Sequence, residues 1–357
     1  MSASTCARAA TFAISAATPS SNIAEAGGLP KPLAVALGDP AGIGPEITAK
    51  AWERRREEGV APFFAVGLPE AVAAVWQGPL RIVSDPDEAC AAFADALPVI
   101  RVDGAEAPVP GTPTLEGARS AFDALELAVG LTRSGAASAL VTGPVSKAQL
   151  YAVGFTHPGQ TEFVAERCGI APDMVAMMLA GPTLRTVPVT THVPLRDVPD
   201  LITTDLIVAK GRTTIRGLRR SFGIARPRLA VAGLNPHAGE NGALGREEIE
   251  LIIPAIERLR EEDAEVTGPL AADTMFHPRA LREYDAALCL YHDQALVPLK
   301  TLHFDEGVNI TLGLPIVRTS PDHGTAFPIA GRDRAEPGAM IAALKLAAAC
   351  AARLART

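Results

Sequence analysis

Short apolar runs alternate with longer segments of helical spacing along most of this chain. Leu33-Ala-Val-Ala-Leu37 has the length of one buried strand and breaks into Gly38-Asp-Pro-Ala-Gly-Ile-Gly-Pro-Glu46. Pro45 and Glu46 suit a first helical turn, and Ile47 to Trp52 continues as helix. Such a corner serves equally as a tight turn or as an anion contact. Pro62 to Val66 and Leu97 to Val102 are further short runs, and Pro108 to Pro113 reads as a surface connection. Ala118, Phe122, Leu125, Ala128 and Val129 predict a helix from Leu115 to Ser134. Ala136 to Thr142 is then a strand, Gly143-Pro-Val-Ser-Lys147 opens another helix, and an alanine-rich helix from Pro337 to Arg356 closes the chain. Alternating strands and helices predict an α/β fold, with a parallel or mixed sheet and helices on both faces.

Three of the strand-like runs end in histidine. They are Leu184 to His192, Arg228 to His237, and Ala286-Ala-Leu-Cys-Leu-Tyr-His-Asp-Gln294. Strands deliver side chains to fixed points, and ligands of open α/β sheets gather beyond the strands' carboxyl ends. Each histidine alone is explained as a capped or core residue. Three at strand exits, in a chain with 7 histidines, point to one site with neutral imidazoles for a divalent metal. Asp273 and Asp293 are candidates to orient the rings. His157, His277, His303 and His323 fall to loop or surface roles. Arg318 and Asn309 lie in apolar surroundings, where a charge is costly unless paired, so an anionic ligand or a structural salt bridge is expected there. The turn His157-Pro-Gly-Gln160-Thr161-Glu162 reads as structural on its own.

Composition narrows the class. With 48% hydrophobic and 20% charged residues and a formal charge of -7, the chain reads as a soluble globular protein with no basic stripe for nucleic acid. Arg54-Arg55-Arg56 runs straight into Glu57-Glu58 and reads as a solvated helix face. Five scattered cysteines without CxxC spacing point to free thiols in a reducing compartment, hence the cytoplasm. No apolar run nears the ~18 residues of a membrane span. Residues 1–30 read as a disordered tail or the trace of an upstream start codon, being a poor match to a signal peptide.

The motifs Gly38-Asp-Pro-Ala-Gly-Ile-Gly-Pro-Glu46, Thr142-Gly-Pro-Val-Ser-Lys147, Gly159-Gln-Thr-Glu-Phe163, Thr191-His-Val-Pro-Leu-Arg-Asp197, Gly233-Leu-Asn-Pro-His-Ala-Gly-Glu240, Gly268-Pro-Leu-Ala-Ala-Asp-Thr274, Tyr291-His-Asp-Gln294, Gly307-Val-Asn-Ile-Thr-Leu-Gly-Leu-Pro315 and Arg318-Thr-Ser-Pro-Asp-His-Gly-Thr325 occur in this order. Together they resemble the 4-hydroxythreonine-4-phosphate dehydrogenase family of pyridoxal phosphate biosynthesis. The resemblance implies an isocitrate/isopropylmalate dehydrogenase-like fold of two α/β/α domains with a central cleft. These would be 31–140 plus 310–357, and 141–309. It implies a homodimer with a shared active site and a divalent metal (Zn, Mg or Co) on His192, His237 and His292, the last reaching across the dimer. A small phosphorylated hydroxy-amino acid would be held by Gln160, Thr161, Lys300, Asn309 and Arg318. NAD or NADP would lie at Gly233, Asn235 and Gly239, and Lys300 with Asp273 or Asp293 would handle protons.

The implied reaction is oxidation of 4-phosphohydroxy-L-threonine to a β-keto acid that decarboxylates to 3-amino-2-oxopropyl phosphate. Gln160 departs from the family pattern, which has histidine there; glutamine still hydrogen-bonds but carries no proton. A sister dehydrogenase of phosphorylated threonate or erythronate, a cis-dihydrodiol carboxylate dehydrogenase and a zinc hydrolase are the rival readings.

Overall fold

Alternate residues of the first strand face two different cores. Leu33 and Val35 join one buried cluster and Ala34 and Ala36 another; Phe63 with Ala65, and Phe64 with Val66, divide the same way. Side chains of a strand point to opposite faces in turn, so this sheet is covered on both. That is why its strands read as continuous apolar runs.

The computed structural model describes residues 31–104 and 108–356; the expected tail over 1–30 lies outside the described residues. The strands are β1 Leu33–Ala36, β2 Phe63–Gly67, β3 Leu80–Ile82, β4 Leu97–Arg101, β5 Leu140–Thr142, β6 Ala176–Ala180, β7 Arg185–Pro188, β8 Arg228–Ala232, β9 Glu265–Leu270, β10 Ala286–Cys289, β11 Val308–Leu312 and β12 Arg318–Pro321. They form one 12-stranded sheet in the order β3-β4-β2-β1-β5-β12-β11-β6-β7-β10-β8-β9.

The set β3 to β12 is parallel throughout, as is the set from β7 to β9. Between them β11 and β6 are joined by antiparallel pairings. The sheet is therefore mixed, with two parallel blocks meeting at an antiparallel seam.

Helix ends follow local chemistry. Gly44–Glu53 begins with Pro45 in its first turn. Leu115–Arg133 starts where Thr114 Oγ1 accepts from Gly117 N at 3.0 Å. Thr204–Phe222 stops at Gly223, whose φ of 71° is left-handed. The closing helix is Gly338–Leu354. No helix among the described residues is long and apolar enough to cross a membrane.

Candidate active site

β10 pairs in parallel with β7 on one side and β8 on the other, so the carboxyl ends of the three histidine-bearing strands share one edge. Gln294 ties two of these exits together. Its Oε1 accepts from Leu290 N at 2.6 Å and its Nε2 donates to Gly233 O at 2.8 Å. The rings of His192 and His292 have centroids 5.5 Å apart. His292 Nδ1 lies 2.7 Å from Asp293 Oδ1, which leaves Nε2 for another partner. Burial, then the charges of Lys147 and His292, lower the pKa of His192, with Glu162 and Asp322 opposing. A neutral imidazole, and a ring whose second nitrogen is fixed by a carboxylate, fit a divalent cation. His237 exits the same edge but makes no ring contact with either histidine among the described residues. No group of three His, Cys, Asp or Glu side chains there is arranged to hold a metal.

The segment carrying His237 is strained. His237, Ala238, Gly239, Glu240 and Asn241 have φ values of 52, 52, 76, 43 and 55°, and left-handed backbone costs about 1–2 kcal/mol per non-glycine residue. Buried Glu248 holds it: its Oε1 accepts from Leu234 N and Asn235 N at 2.8 Å each, and its Oε2 from Asn235 Nδ2 at 2.9 Å. A Cβ at Gly239 would come within 2.5 Å of Glu248 Oε2. Gly233, Asn235 and Gly239, expected at the cofactor, are thus engaged in shaping this loop. Removing the carboxylate strands two backbone donors, so Glu248→Ala should cost about 2–4 kcal/mol. Thermal denaturation checks this.

Arg318, the first residue of β12, is buried with hydroxyl and amide partners. Its Nη2 donates to Thr142 Oγ1 at 2.7 Å and Gln160 Oε1 at 3.1 Å; its Nη1 reaches Thr311 Oγ1 at 3.2 Å and Thr161 Oγ1 at 3.4 Å. No carboxylate bonds it, its Nε has no partner among the described residues, and burial pushes its pKa down to about 10. It stays charged at pH 7, buried and with no carboxylate bonded to it, although the charge of Glu162 opposes the shift.

Gln160 and Thr161 open the helix Gln160–Arg167, so the helix's positive end faces the same point. Gln160 also donates to Gly143 O at 3.1 Å, which fixes its amide. Asn309 pairs with Ser320 across β11 and β12 and shares a strand face with Thr311. Its buried Oδ1 lacks a partner among the described residues.

Lys300 meets a different carboxylate from those expected. Its Nζ lies 2.9 Å from Asp322 Oδ2, without hydrogen-bond alignment to that oxygen, and donates to Asp322 O at 3.3 Å. Asp293 bonds His292 instead, and Asp273 is exposed on the turn Ala272–Thr274, which packs against the His237 segment. Lys300, Asp322, Ile43, His323 and Gly324 help line a cavity of about 340 Å³ beside the first glycine loop.

That loop's glycines have packing reasons: a Cβ at Gly38, whose φ is 79°, would sit 2.3 Å from Pro144 O. Asp39 in the same loop is buried, and desolvation raises its pKa despite the bond from Ala41 N at 3.0 Å. A raised carboxyl pKa contributes stability below the unfolded value of 3.8 that is lost as pH rises through the folded value. Asp39→Asn keeps the acceptor, so its Tm should exceed the parent's by about 2 °C at pH 7. The gap should close as pH falls toward 4. Scanning calorimetry across that range checks it.

The family model "Pyridoxal phosphate biosynthetic protein PdxA" matches residues 64–347. The chain belongs to this family. It is 60% identical over 318 residues to a 4-hydroxythreonine-4-phosphate dehydrogenase of Zymomonas mobilis, covering 89% of this chain and 95% of that one. A 4-hydroxythreonine-4-phosphate dehydrogenase structure from Klebsiella pneumoniae superposes with TM-score 0.81 at 38% identity, covering 90% of this chain and 99% of that one. A terephthalate 1,2-cis-dihydrodiol dehydrogenase from Burkholderia xenovorans is more distant, with TM-score 0.61 at 28% identity over 89% and 98% of the two chains. Membership makes this chain a dehydrogenase, and the α/β fold expected from the sequence is the one observed.

Within this PdxA-family site, sequence reading missed Thr142, Thr311, Asp322 and Lys147. Lys147, first residue of the helix Lys147–Ala152, lies beside Gly159 and acts on His192. Only its place after a strand and a glycine turn hinted at a role. Among the remaining histidines, His157 pairs with Glu166 at 2.6 Å and packs on Phe155 and Phe163, and His303 contacts Thr183. His277 accepts from Arg279 N and Ala280 N, whereas His323 helps line the Lys300 cavity.

Proposed function

We propose that this chain oxidises 4-phosphohydroxy-L-threonine with NAD or NADP to a β-keto acid that loses CO2, yielding 3-amino-2-oxopropyl phosphate for pyridoxal phosphate biosynthesis. The observation that carries this reading is buried Arg318, held by Thr142, Gln160, Thr161 and Thr311 without a carboxylate. A buried guanidinium that no carboxylate bonds, at a helix N-terminus, suits an anionic substrate group. The relative's name supplies the phosphate. Asn309, with its orphaned Oδ1, would accept a substrate donor, and Lys300 would contribute a second cationic contact.

His192 and His292 would hold a divalent metal with His237 completing the set, and Asp293 would orient His292. Such an ion lowers the acidity barrier of a bound hydroxyl and steadies negative charge during loss of CO2. Asp322, paired with Lys300, would accept the hydroxyl proton, and NAD or NADP, when bound, would supply the hydride acceptor. The cavity beside Lys300 would take the nicotinamide end of that cofactor at most, and Gly233, Asn235 and Gly239 shape the wall that bears His237.

A homodimer with a shared active site is part of the proposal. Exposed Leu195, Leu201, Leu244, Ile249 and Val297 each lie within about a dozen residues after one of the three histidines, and exposed apolar residues beside a site suit an interaction face. We propose the division between 31–140 plus 310–357 and 141–309, whose 309/310 junction falls within β11, and the cytoplasm as the location. Carboxyl-labelled substrate tests the reaction: one labelled CO2 should be released per nicotinamide reduced. Reduction without release would confine the activity to the first step.

A further inference from the structure

A second cavity, of about 390 Å³, lies apart from the histidines and Lys300. Its apolar wall includes Ile170, Met174, Leu312, Leu314 and Ile316, and Arg216 and Arg220 also line it, with no carboxylate among the lining residues. Arg220 donates to Leu314 O at 2.8 Å and Pro315 O at 2.6 Å. Arg216, one helical turn earlier, is exposed and has no hydrogen bond or ion pair among the described residues. Pockets of this size with apolar walls and a few polar groups are the usual form of small-molecule sites.

We propose that this cavity binds a small amphiphilic anion, an apolar ring or chain bearing one phosphate or carboxylate, and that its occupancy alters substrate binding at Arg318. The apolar wall takes the body of the ligand and free Arg216 takes its charge. Three elements lead from the cavity to Arg318. Thr311 lines it and accepts from Arg318 Nη1. Val317 lines it and precedes Arg318 in the chain. Gly169 to Ala171 line it just beyond the helix Gln160–Arg167, whose first two residues contact the guanidinium. A ligand that shifts the β11–β12 connection therefore moves the partners of Arg318.

Phenyl phosphate is a suitable probe, titrated calorimetrically into the full chain. Binding should be saturable, should survive Arg318→Met, and should weaken about tenfold or more, roughly 1.4 kcal/mol, in Arg216→Glu and in Ala171→Trp, which fills the rim. Inorganic phosphate should bind at least about tenfold more weakly than phenyl phosphate, for want of an apolar body. The probe should also change the KM for the phosphorylated substrate in the parent and leave it unchanged in Ala171→Trp.

Absence of saturable binding overturns the site. Binding lost in Arg318→Met yet kept in Arg216→Glu assigns the probe to the substrate pocket and also overturns it. Binding at the cavity without any change in KM overturns the coupling to Arg318.

Discussion

Arg318→Met should lower kcat/KM for the phosphorylated substrate by about a thousandfold, or about 4 kcal/mol, while leaving the fold at least as stable as before. The two halves of this expectation have one cause. The guanidinium is buried, its pKa is pushed down to about 10 by desolvation, and its Nε has no partner among the described residues. A buried charge that no carboxylate bonds weighs against folding even with the charge of Glu162 acting on it, and an apolar residue of similar length relieves that cost. Only an anionic ligand makes the charge favourable. Arg318→Lys should recover little activity, because one ammonium cannot span Thr142, Gln160, Thr161 and Thr311 together. Paired kinetics and denaturation curves check this. Lost activity together with severe destabilisation would instead mark Arg318 as a structural strut.

His292→Ala should abolish metal-stimulated turnover, and Asp293→Asn should reduce metal affinity about tenfold to a hundredfold. The milder effect follows from geometry. Asp293 holds His292 Nδ1 at 2.7 Å, so it fixes the direction of Nε2 without supplying the donor. Asparagine keeps an acceptor but loses the charge that raises ligand basicity. Titration of metal-stripped protein with Zn, Mg or Co, followed by activity, separates the two variants. Equal affinities in parent, His292→Ala and Asp293→Asn would remove this histidine from the metal site. Mixing His237→Ala with His292→Ala protein tests the shared dimer site, because partial recovery requires ligands from two chains.

The elements most legible in the sequence are those whose signal is local. β1, β8 and β10 are apolar runs that end in loop residues, and Gly338–Leu354 is an alanine-rich segment at helical spacing, so their existence followed from short windows. The antiparallel seam was not legible. β6 and β11 look like the other short strand-like runs, β12 is the polar segment Arg-Thr-Ser-Pro, and their direction depends on pairings such as Asn309 with Leu179, 130 residues apart.

The same contrast runs through the site. His192 and His292 announced themselves at strand exits, and the apolar flanks of Arg318 marked its charge as unusual. Its partners Thr142 and Gln160 lie 176 and 158 residues away in the chain, and ordinary threonines carry no signal of a role. Asp322 was overlooked for a similar reason. Asp273 and Asp293 drew notice as possible partners of the histidines, but only folding reveals that Asp322, the residue after β12, is the one that meets the Lys300 ammonium.

The most direct test of the account is absorbance at the reduced-nicotinamide band. It requires purified protein, 4-phosphohydroxy-L-threonine, NAD or NADP and a divalent metal, with Arg318→Met in parallel. The account predicts a metal-dependent rise in the parent that is nearly lost in the variant, which would also establish Gln160 as compatible with turnover. A rise only with phosphorylated threonate or erythronate, or none with any of these substrates, would contradict it.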